Sequence, residues 1–149
     1  MNHIERQHAI VIPLALEAAF PLFTPLGEKL WFAEWQPEFI HPVDGTTQTG
    51  MVFRTRHGAE ETLWSCIDYA PEAHRIRYAR VSPATRFVTI DIVCRAESAA
   101  TTSVSVVYAM TALSPKGESL LAATTHDAFR TSIEHWQTLV TRYAESLPA

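Results

Sequence analysis

The chain has 149 residues, a formal net charge of −4 and a hydrophobic fraction of 47 %. A chain of this length can bury about two-thirds of its unfolded surface, so we expect one domain over residues 1–149. The 12 Lys and Arg residues are scattered, which disfavours nucleic acid as a partner because a phosphate backbone requires a concentrated basic surface. No segment approaches the ~20 apolar residues that span a bilayer, so we expect no membrane insertion.

The N-terminus and the cysteines indicate the compartment. The first residues, MNHIERQHAIVIPL, break their apolar run too early for the core of a signal peptide. Cys66 and Cys94 lie within predicted strands and lack the CxxC spacing of metal or redox pairs, so we expect them to be buried free thiols. Both observations predict a cytoplasmic protein.

The N-terminal region predicts one strand and two short helices. The run RQHAIVIP (6–13) is rich in β-branched residues, ends at a proline and predicts the first strand. The next segment, ALEAAF, predicts a short helix that prolines end near Phe23. Thr24 suits an N-cap with Pro25 at the first helical position, so a second short helix is expected over about 25–33.

Six further strands follow from residue 38, each ended by a turn signal. They are EFIHPV, GMVFRTR, ETLWSCIDY, HRIRYARV, RFVTIDIVCRA and SVSVVYAMTAL. Their connections are too short for crossover helices, so the sheet should be an antiparallel meander. After Gly117 the hydrophobic period changes to 3.6 and predicts one long helix, which must bury its apolar stripe against the sheet. That stripe consists of Phe129, Ile133, Trp136, Val140, Tyr143 and Leu147.

Several stretches, taken with this order of elements, indicate a family. They are AAFPLFTPLGEKLWFAEWQPE, the hairpin ETLWSCIDYAPEAHRIRYAR, SVSVVYAMTALSPKGESLL and the phase of the last helix around Ile133 and Trp136. The chain resembles the START-like (SRPBCC) superfamily, which includes the pollen allergen Bet v 1, polyketide cyclases and aromatases, and lipid-transfer domains. The resemblance implies an α+β helix-grip fold, in which a curved seven-stranded antiparallel sheet wraps around a long C-terminal helix. It also implies a cavity between them for an apolar or amphipathic small molecule.

Strand alternation and the helix stripe indicate which side chains would line that cavity. A filled core is the alternative interpretation of the same pattern. Tyr and Trp have polar tips that need partners when buried, which suits a pocket wall. The predicted ligand-binding residues are Trp31, Trp35, Met51, Phe53, Trp64, Tyr78, Tyr108, Phe129, Ile133 and Trp136. We expect Trp31 or Trp35 to form the rim or gate of the cavity.

Motifs for metal, cofactor and nucleophilic chemistry are missing from the sequence. The seven histidines form no HxH or HExxH pair, so no metal is expected. Without a GxSxG elbow or a glycine-rich phosphate loop, the chain predicts neither a serine nucleophile nor a dinucleotide, and we expect no cofactor. Asp127, next to His126, is expected to stabilise the N-terminus of the last helix instead of forming a catalytic pair.

Charged residues within the predicted strands leave two interpretations open. These residues are Arg80, Arg86, Asp91 and Arg95. One of them could place a charge in the cavity, where burial would shift its pKa and allow acid, base or anion-binding chemistry. Solvent-facing positions are the commoner outcome for charges on strands and are the expectation here.

The preferred functional hypothesis is binding of an apolar or aromatic small molecule, such as a lipid or polyketide, between the sheet and the C-terminal helix. The first alternative is a cyclase, aromatase or hydratase that acts on such a ligand, which requires an ionisable side chain with a shifted pKa in the cavity. The second is a protein-interaction module, because some members of the superfamily stimulate the Hsp90 chaperone. The sequence distinguishes neither monomer from homodimer nor one ligand from another.

Overall fold

The computed structural model describes residues 2–148, and its main element is one antiparallel sheet of seven strands. The bounds are β1 His3–Ile12, β2 Glu38–His41, β3 Val52–His57, β4 Glu60–Ala70, β5 Arg75–Ser82, β6 Arg86–Ala96 and β7 Thr102–Ala112. Across the sheet the order is β1-β7-β6-β5-β4-β3-β2. From β2 to β7 each strand pairs with its neighbour in sequence, which confirms the predicted meander, and β1 pairs with β7 at the edge.

Two short helices follow β1, as predicted. The first, α1 (Leu16–Ala19), continues into a 3-10 turn over Phe20–Phe23. The second, α2 (Pro25–Glu28), is capped by Thr24, whose hydroxyl oxygen accepts a hydrogen bond from the backbone N–H of Gly27 at 3.1 Å. The predicted N-cap and the proline at the first helical position are therefore confirmed.

The second short helix ends earlier than the predicted boundary near residue 33. After Glu28 the chain continues as turns, and two indole rings fold back onto the preceding backbone. The Trp31 N–H donates to the carbonyl of Leu22 at 2.8 Å, and the Trp35 N–H donates to the carbonyl of Pro25 at 2.9 Å. These bonds satisfy the polar tips of the buried Trp31 ring and the partly buried Trp35 ring.

The C-terminal part contains one helix that the sequence analysis did not predict. This helix, α3 (Pro115–Ala123), begins at a stretch interpreted only as a turn, with Ser114 accepting a hydrogen bond from Gly117 N–H at 3.1 Å. Serine followed by proline is equally suitable for a turn and for a helix start, so the local signal is ambiguous. The long helix α4 (His126–Ser146) then forms as predicted, with Asp127 in its first turn.

The core lies between the inner face of the sheet and α4. Alternate strand residues point to this face, and Phe53, Ile76 and Val104 are completely buried there. Cys66 and Cys94 are buried free thiols, as predicted. Burial raises the pKa of the Cys66 thiol to about 11 and that of Cys94 to about 12, so neither forms a reactive thiolate at neutral pH.

The opposite face of the sheet carries ion pairs. Arg54 and Arg56 project there from β3 and lie between 3.5 and 3.7 Å from the carboxylates of Glu38 and Glu61. None of the helices in residues 2–148 combines the length and the apolar character needed to cross a membrane. The curved sheet, the short helices after β1 and the long last helix confirm the predicted helix-grip fold.

Candidate functional site

A cavity of about 360 Å³ lies between the sheet and α4. Tyr108 and Met110 of β7 line it from the sheet. Phe129, Ile133 and Trp136 line it from α4, where their spacing of four and three residues places them on one helical face. The cavity is therefore walled by the apolar stripe of the helix and by the inner face of the sheet.

Small side chains mark the mouth of this cavity. Ala128 and Ser132 line it from α4 and are both exposed, so solvent reaches the cavity past them. Thr124, at the junction of α3 and α4, also lines it. The guanidinium of Arg6 donates from β1 to the Thr124 carbonyl at 2.9 Å, which fixes this junction against the edge of the sheet.

Two arginines line the cavity from the sheet. Arg80 of β5 has the same alternation phase as the buried Tyr78, and Arg86 of β6 has that of the buried Val88, so both project to the inner face. The expectation that charges on the strands face solvent is therefore wrong for these two residues. It holds for Arg95, which is exposed on the opposite face.

The Arg80 guanidinium lies between two aromatic rings. It is 5.3 Å from the ring centroid of Trp64 and 5.9 Å from that of Tyr108, both within the range of cation–π contact. Burial lowers the pKa of Arg80 from its usual value, and the charge of Arg86 acts in the same direction. Tyr108 and the Glu60 carboxylate oppose this shift, but burial has the larger effect.

Glu28, at the end of α2, places a carboxyl in the interior. The residue as a whole is partly buried, but its carboxyl group is enclosed, and this burial raises its pKa from 4.5 to about 8. A negative charge on Glu28 would raise the pKa of both Tyr78 and Tyr108 further. At neutral pH the Glu28 carboxyl is therefore mainly protonated.

The two inner tyrosines are neutral hydrogen-bonding groups. Burial raises the pKa of Tyr78 well above its usual value, and its hydroxyl donates to the backbone carbonyl of Phe23 at 2.8 Å. Burial also raises the pKa of Tyr108, although the charge of Arg80 lowers it in part. Tyr108 packs edge-on against Phe129 of α4, with 5.0 Å between their ring centroids, and so connects the two walls of the cavity.

The structure brings four of the ten predicted ligand residues together at this cavity. They are Tyr108, Phe129, Ile133 and Trp136. The other predicted residues do not line it. They are Trp31, Trp35, Met51, Phe53, Trp64 and Tyr78.

Packing among aromatic rings accounts for the position of most of these others. Trp64 stacks on Phe53 with 5.4 Å between centroids, and Trp35 meets the Trp64 ring edge-on at 5.3 Å. Trp31 lies behind the cavity wall, 6.0 Å from Trp136. The expected rim or gate at Trp31 or Trp35 has no support from this placement, because hydrogen bonds to backbone carbonyls hold both indoles against the α2 segment.

Glu28 was not among the predicted site residues, although the sequence contains a signal for it. Thr24, Gly27, Glu28 and Trp31 recur at helical spacing and form one face of α2 and the turn that follows. Thr24, Gly27 and Trp31 are all buried, whereas Leu26 on the other side is exposed. A glutamate on the buried face of a short helix is the pattern that indicates an interior carboxyl.

Two of the seven histidines form pairs with carboxylates. His8 lies 3.2 Å from Glu134 of α4, and His74 lies 2.9 Å from Glu17 of α1. Within the part of the chain that the structure describes, residues 2–148, no three His, Cys, Asp or Glu side chains come together as a metal site would require.

Comparison with solved structures identifies the fold. Norcoclaurine synthase from Thalictrum flavum, solved with dopamine and hydroxybenzaldehyde, superposes with a TM-score of 0.70 over 99 % of this chain and 89 % of its own, at 10 % identity. The Zhui aromatase/cyclase from a Streptomyces species gives a TM-score of 0.59 over 96 % and 87 %, at 14 % identity. The chain has the START-like, Bet v 1-like fold.

A bacterial protein shows that the START-like similarity extends over whole chains. This protein, from Thermus thermophilus, matches 97 % of the present chain and 100 % of its own length, with a TM-score of 0.70 and 15 % identity. No protein-family model matches the sequence, and no curated protein sequence does either. At these identities the START-like similarity establishes the fold and leaves the ligand to be inferred from the site.

Proposed function

We propose that this protein binds a small apolar or aromatic molecule in the cavity between the sheet and α4. The observation that carries the proposal is the cavity of about 360 Å³ with Phe129, Ile133 and Trp136 on one wall. Removing a ligand's apolar surface from water there would supply about 25 cal/mol per Å². The START-like fold supports this proposal, since the norcoclaurine synthase structure contains two small aromatic compounds.

The size of the cavity limits the class of ligand. Pockets for drug-sized ligands have volumes of about 300–1,000 Å³, and this cavity lies near the lower end of that range. A compound with one or two rings is therefore a better fit than a long lipid chain or an extended polyketide. The tyrosine hydroxyl of Tyr108 and the two arginines would orient such a compound.

A pair of substitutions at the cavity mouth tests the proposal. Ser132→Trp adds a large ring at an exposed position that lines the cavity, whereas Thr131→Trp adds the same ring at an exposed neighbour that does not. Ligands that co-purify with each protein would be extracted and measured by mass spectrometry, and thermal shifts would be recorded with a library of small aromatic compounds. We expect Thr131→Trp to retain binding and Ser132→Trp to lose it. Equal binding by both variants would contradict this position for the site.

An enzyme that acts on the bound molecule is the second candidate, and Glu28 favours it. A carboxyl with a pKa of about 8 is mainly protonated at neutral pH and can donate a proton, which is the property a general acid needs. A charge on Glu28 would also raise the pKa of Tyr108, which lines the cavity, so the two groups are electrostatically coupled.

The enzyme hypothesis is tested with a ligand obtained from the binding experiment. The ligand would be incubated with the wild type, with Glu28→Gln and with Glu34→Gln, an exposed glutamate in the same segment. Conversion by the wild type and by Glu34→Gln, together with binding but no conversion by Glu28→Gln, is the result expected of an enzyme. Unchanged ligand with the wild-type protein at every pH from 5 to 9 would leave binding as the function.

A further inference from the structure

Arg80 and Arg86 bring two positive charges to one cavity. Both line it, and the Nε atom of each, like that of Arg77 on the opposite face of β5, is buried without a hydrogen-bond partner in residues 2–148. A buried donor that lacks a partner costs free energy, so positions of this kind are rare unless something else supplies the acceptor.

The surroundings hold the guanidinium of Arg80 in a defined orientation. The rings of Trp64 and Tyr108 lie within 5.3 and 5.9 Å of its central carbon. Contact with two rings restricts a long side chain, so the planar fork needs little further ordering to bind an anion. Arg80 is buried, and this burial lowers its pKa. Water therefore screens the charge of its guanidinium poorly.

The protein itself supplies only part of the compensating charge. Glu60 at the start of β4 is close enough to raise the pKa of Arg80, and its carboxylate accepts a hydrogen bond from the Thr85 hydroxyl at 3.4 Å. Ion pairs closer than 4.0 Å join neither Arg80 nor Arg86 to a carboxylate in residues 2–148. Glu28 is mainly protonated at neutral pH and adds little negative charge.

We propose that the ligand of this cavity is a small organic acid, whose carboxylate is bound by Arg80 and Arg86 while its apolar or aromatic body lies against α4. The inference rests on the proposed ligand-binding function and adds the chemical class of the ligand. Two guanidinium groups and the single carboxylate of Glu60 leave one net positive charge, which matches a monoanion better than a dianionic phosphate ester. The guanidinium fork also fits the planar geometry of a carboxylate.

The experiment compares acids with neutral compounds of the same shape. Isothermal titration at pH 7 would use benzoate, 2-naphthoate and decanoate, each beside its primary amide, with 2-naphthyl phosphate as the dianion. The proteins are the wild type, Arg80→Met, Arg86→Met and the control Arg95→Met, which changes an exposed arginine on the opposite face of β6. Circular dichroism and thermal unfolding establish that each variant is folded. If Arg80→Met does not fold, Arg86→Met on the neighbouring strand carries the test.

The outcomes separate this inference from the proposed function. We expect at least one acid to bind the wild type roughly tenfold or more tightly than its amide, and either inner arginine substitution to remove that preference. Arg95→Met should retain it. Equal affinity for each acid and its amide would overturn the carboxylate inference and keep the binding function. Tighter binding of 2-naphthyl phosphate than of 2-naphthoate would also overturn the carboxylate inference. Failure of every acid and amide to bind would overturn both.

Discussion

Glu28 should make the folded protein less stable as the pH rises from 5 to 8. Burial raises the pKa of its carboxyl from 4.5 to about 8, so the folded state retains a proton that the unfolded chain releases. Well below pH 4.5 the carboxyl is protonated in both the folded and the unfolded state, so its titration adds no pH dependence to the free energy of unfolding. Between the two pKa values that free energy falls by about 1.4 kcal/mol per pH unit, which gives a loss of at most roughly 3 kcal/mol at pH 7 and 5 kcal/mol above pH 8.

Glu28→Gln removes the titration and keeps the size of the side chain. We expect its unfolding free energy to equal that of the wild type near pH 4.5 and to exceed it increasingly up to pH 8. Urea denaturation between pH 4.5 and 8, followed by the fluorescence of the four tryptophans, measures the difference at each pH. The contributions of the other titrating groups cancel in the difference between the two unfolding free energies, because both proteins contain these groups. Glu34→Gln, at an exposed position, should follow the wild type. Parallel pH curves for wild type and Glu28→Gln would refute a buried, protonated Glu28.

Three further substitutions test the packing that positions the site. Gly117→Ala should destabilise the protein by about 3 kcal/mol or more, because the added Cβ would overlap the carbonyl oxygen of Thr85, whereas the exposed Lys116→Ala should have little effect in the same urea assay. Tyr78→Phe should cost about 1–3 kcal/mol, because it leaves the buried carbonyl of Phe23 without its donor; a stability equal to the wild type would show that water replaces the hydroxyl. Thr24→Ala should cost about 1 kcal/mol through loss of the α2 cap, and Thr24→Asn should restore most of it.

The order of elements could be predicted because each strand and the last helix have their own hydrophobic period. The N-cap at Thr24 and the stripe through Phe129 and Ile133 were local signals of this kind, and the structure contains both. The end of α2 could not be predicted, because it depends on where the Trp31 indole finds a carbonyl in the folded protein. The helix α3 was missed because a serine and a proline begin turns and helices alike.

The alternation of residues along β5 indicates that Arg80 faces the cavity, but the general tendency of charged strand residues to face solvent led to the opposite expectation. Alternation predicts Tyr78 on the inner face, and the same alternation places Arg80 there two residues later. Charges on strands are usually solvated, and that tendency favoured the wrong face. Alternation along a strand fixes the direction of every second side chain, whereas the free-energy cost of burying a charge can be offset by aromatic rings, an opposite charge or a ligand. For a charged residue within a strand, alternation is therefore the stronger evidence of which face it occupies.

The aromatic segment over residues 21–39 supports the site from behind the cavity. Trp31 and Trp35 each donate to a backbone carbonyl of the segment that contains α2, so both rings hold that helix in place. Glu28 is the last residue of α2, and its carboxyl must be held against the cost of burial. The rings therefore stabilise the helix that ends in this interior carboxyl. Trp136 of the cavity wall packs against this segment, because its ring contacts both Trp31 and Phe23.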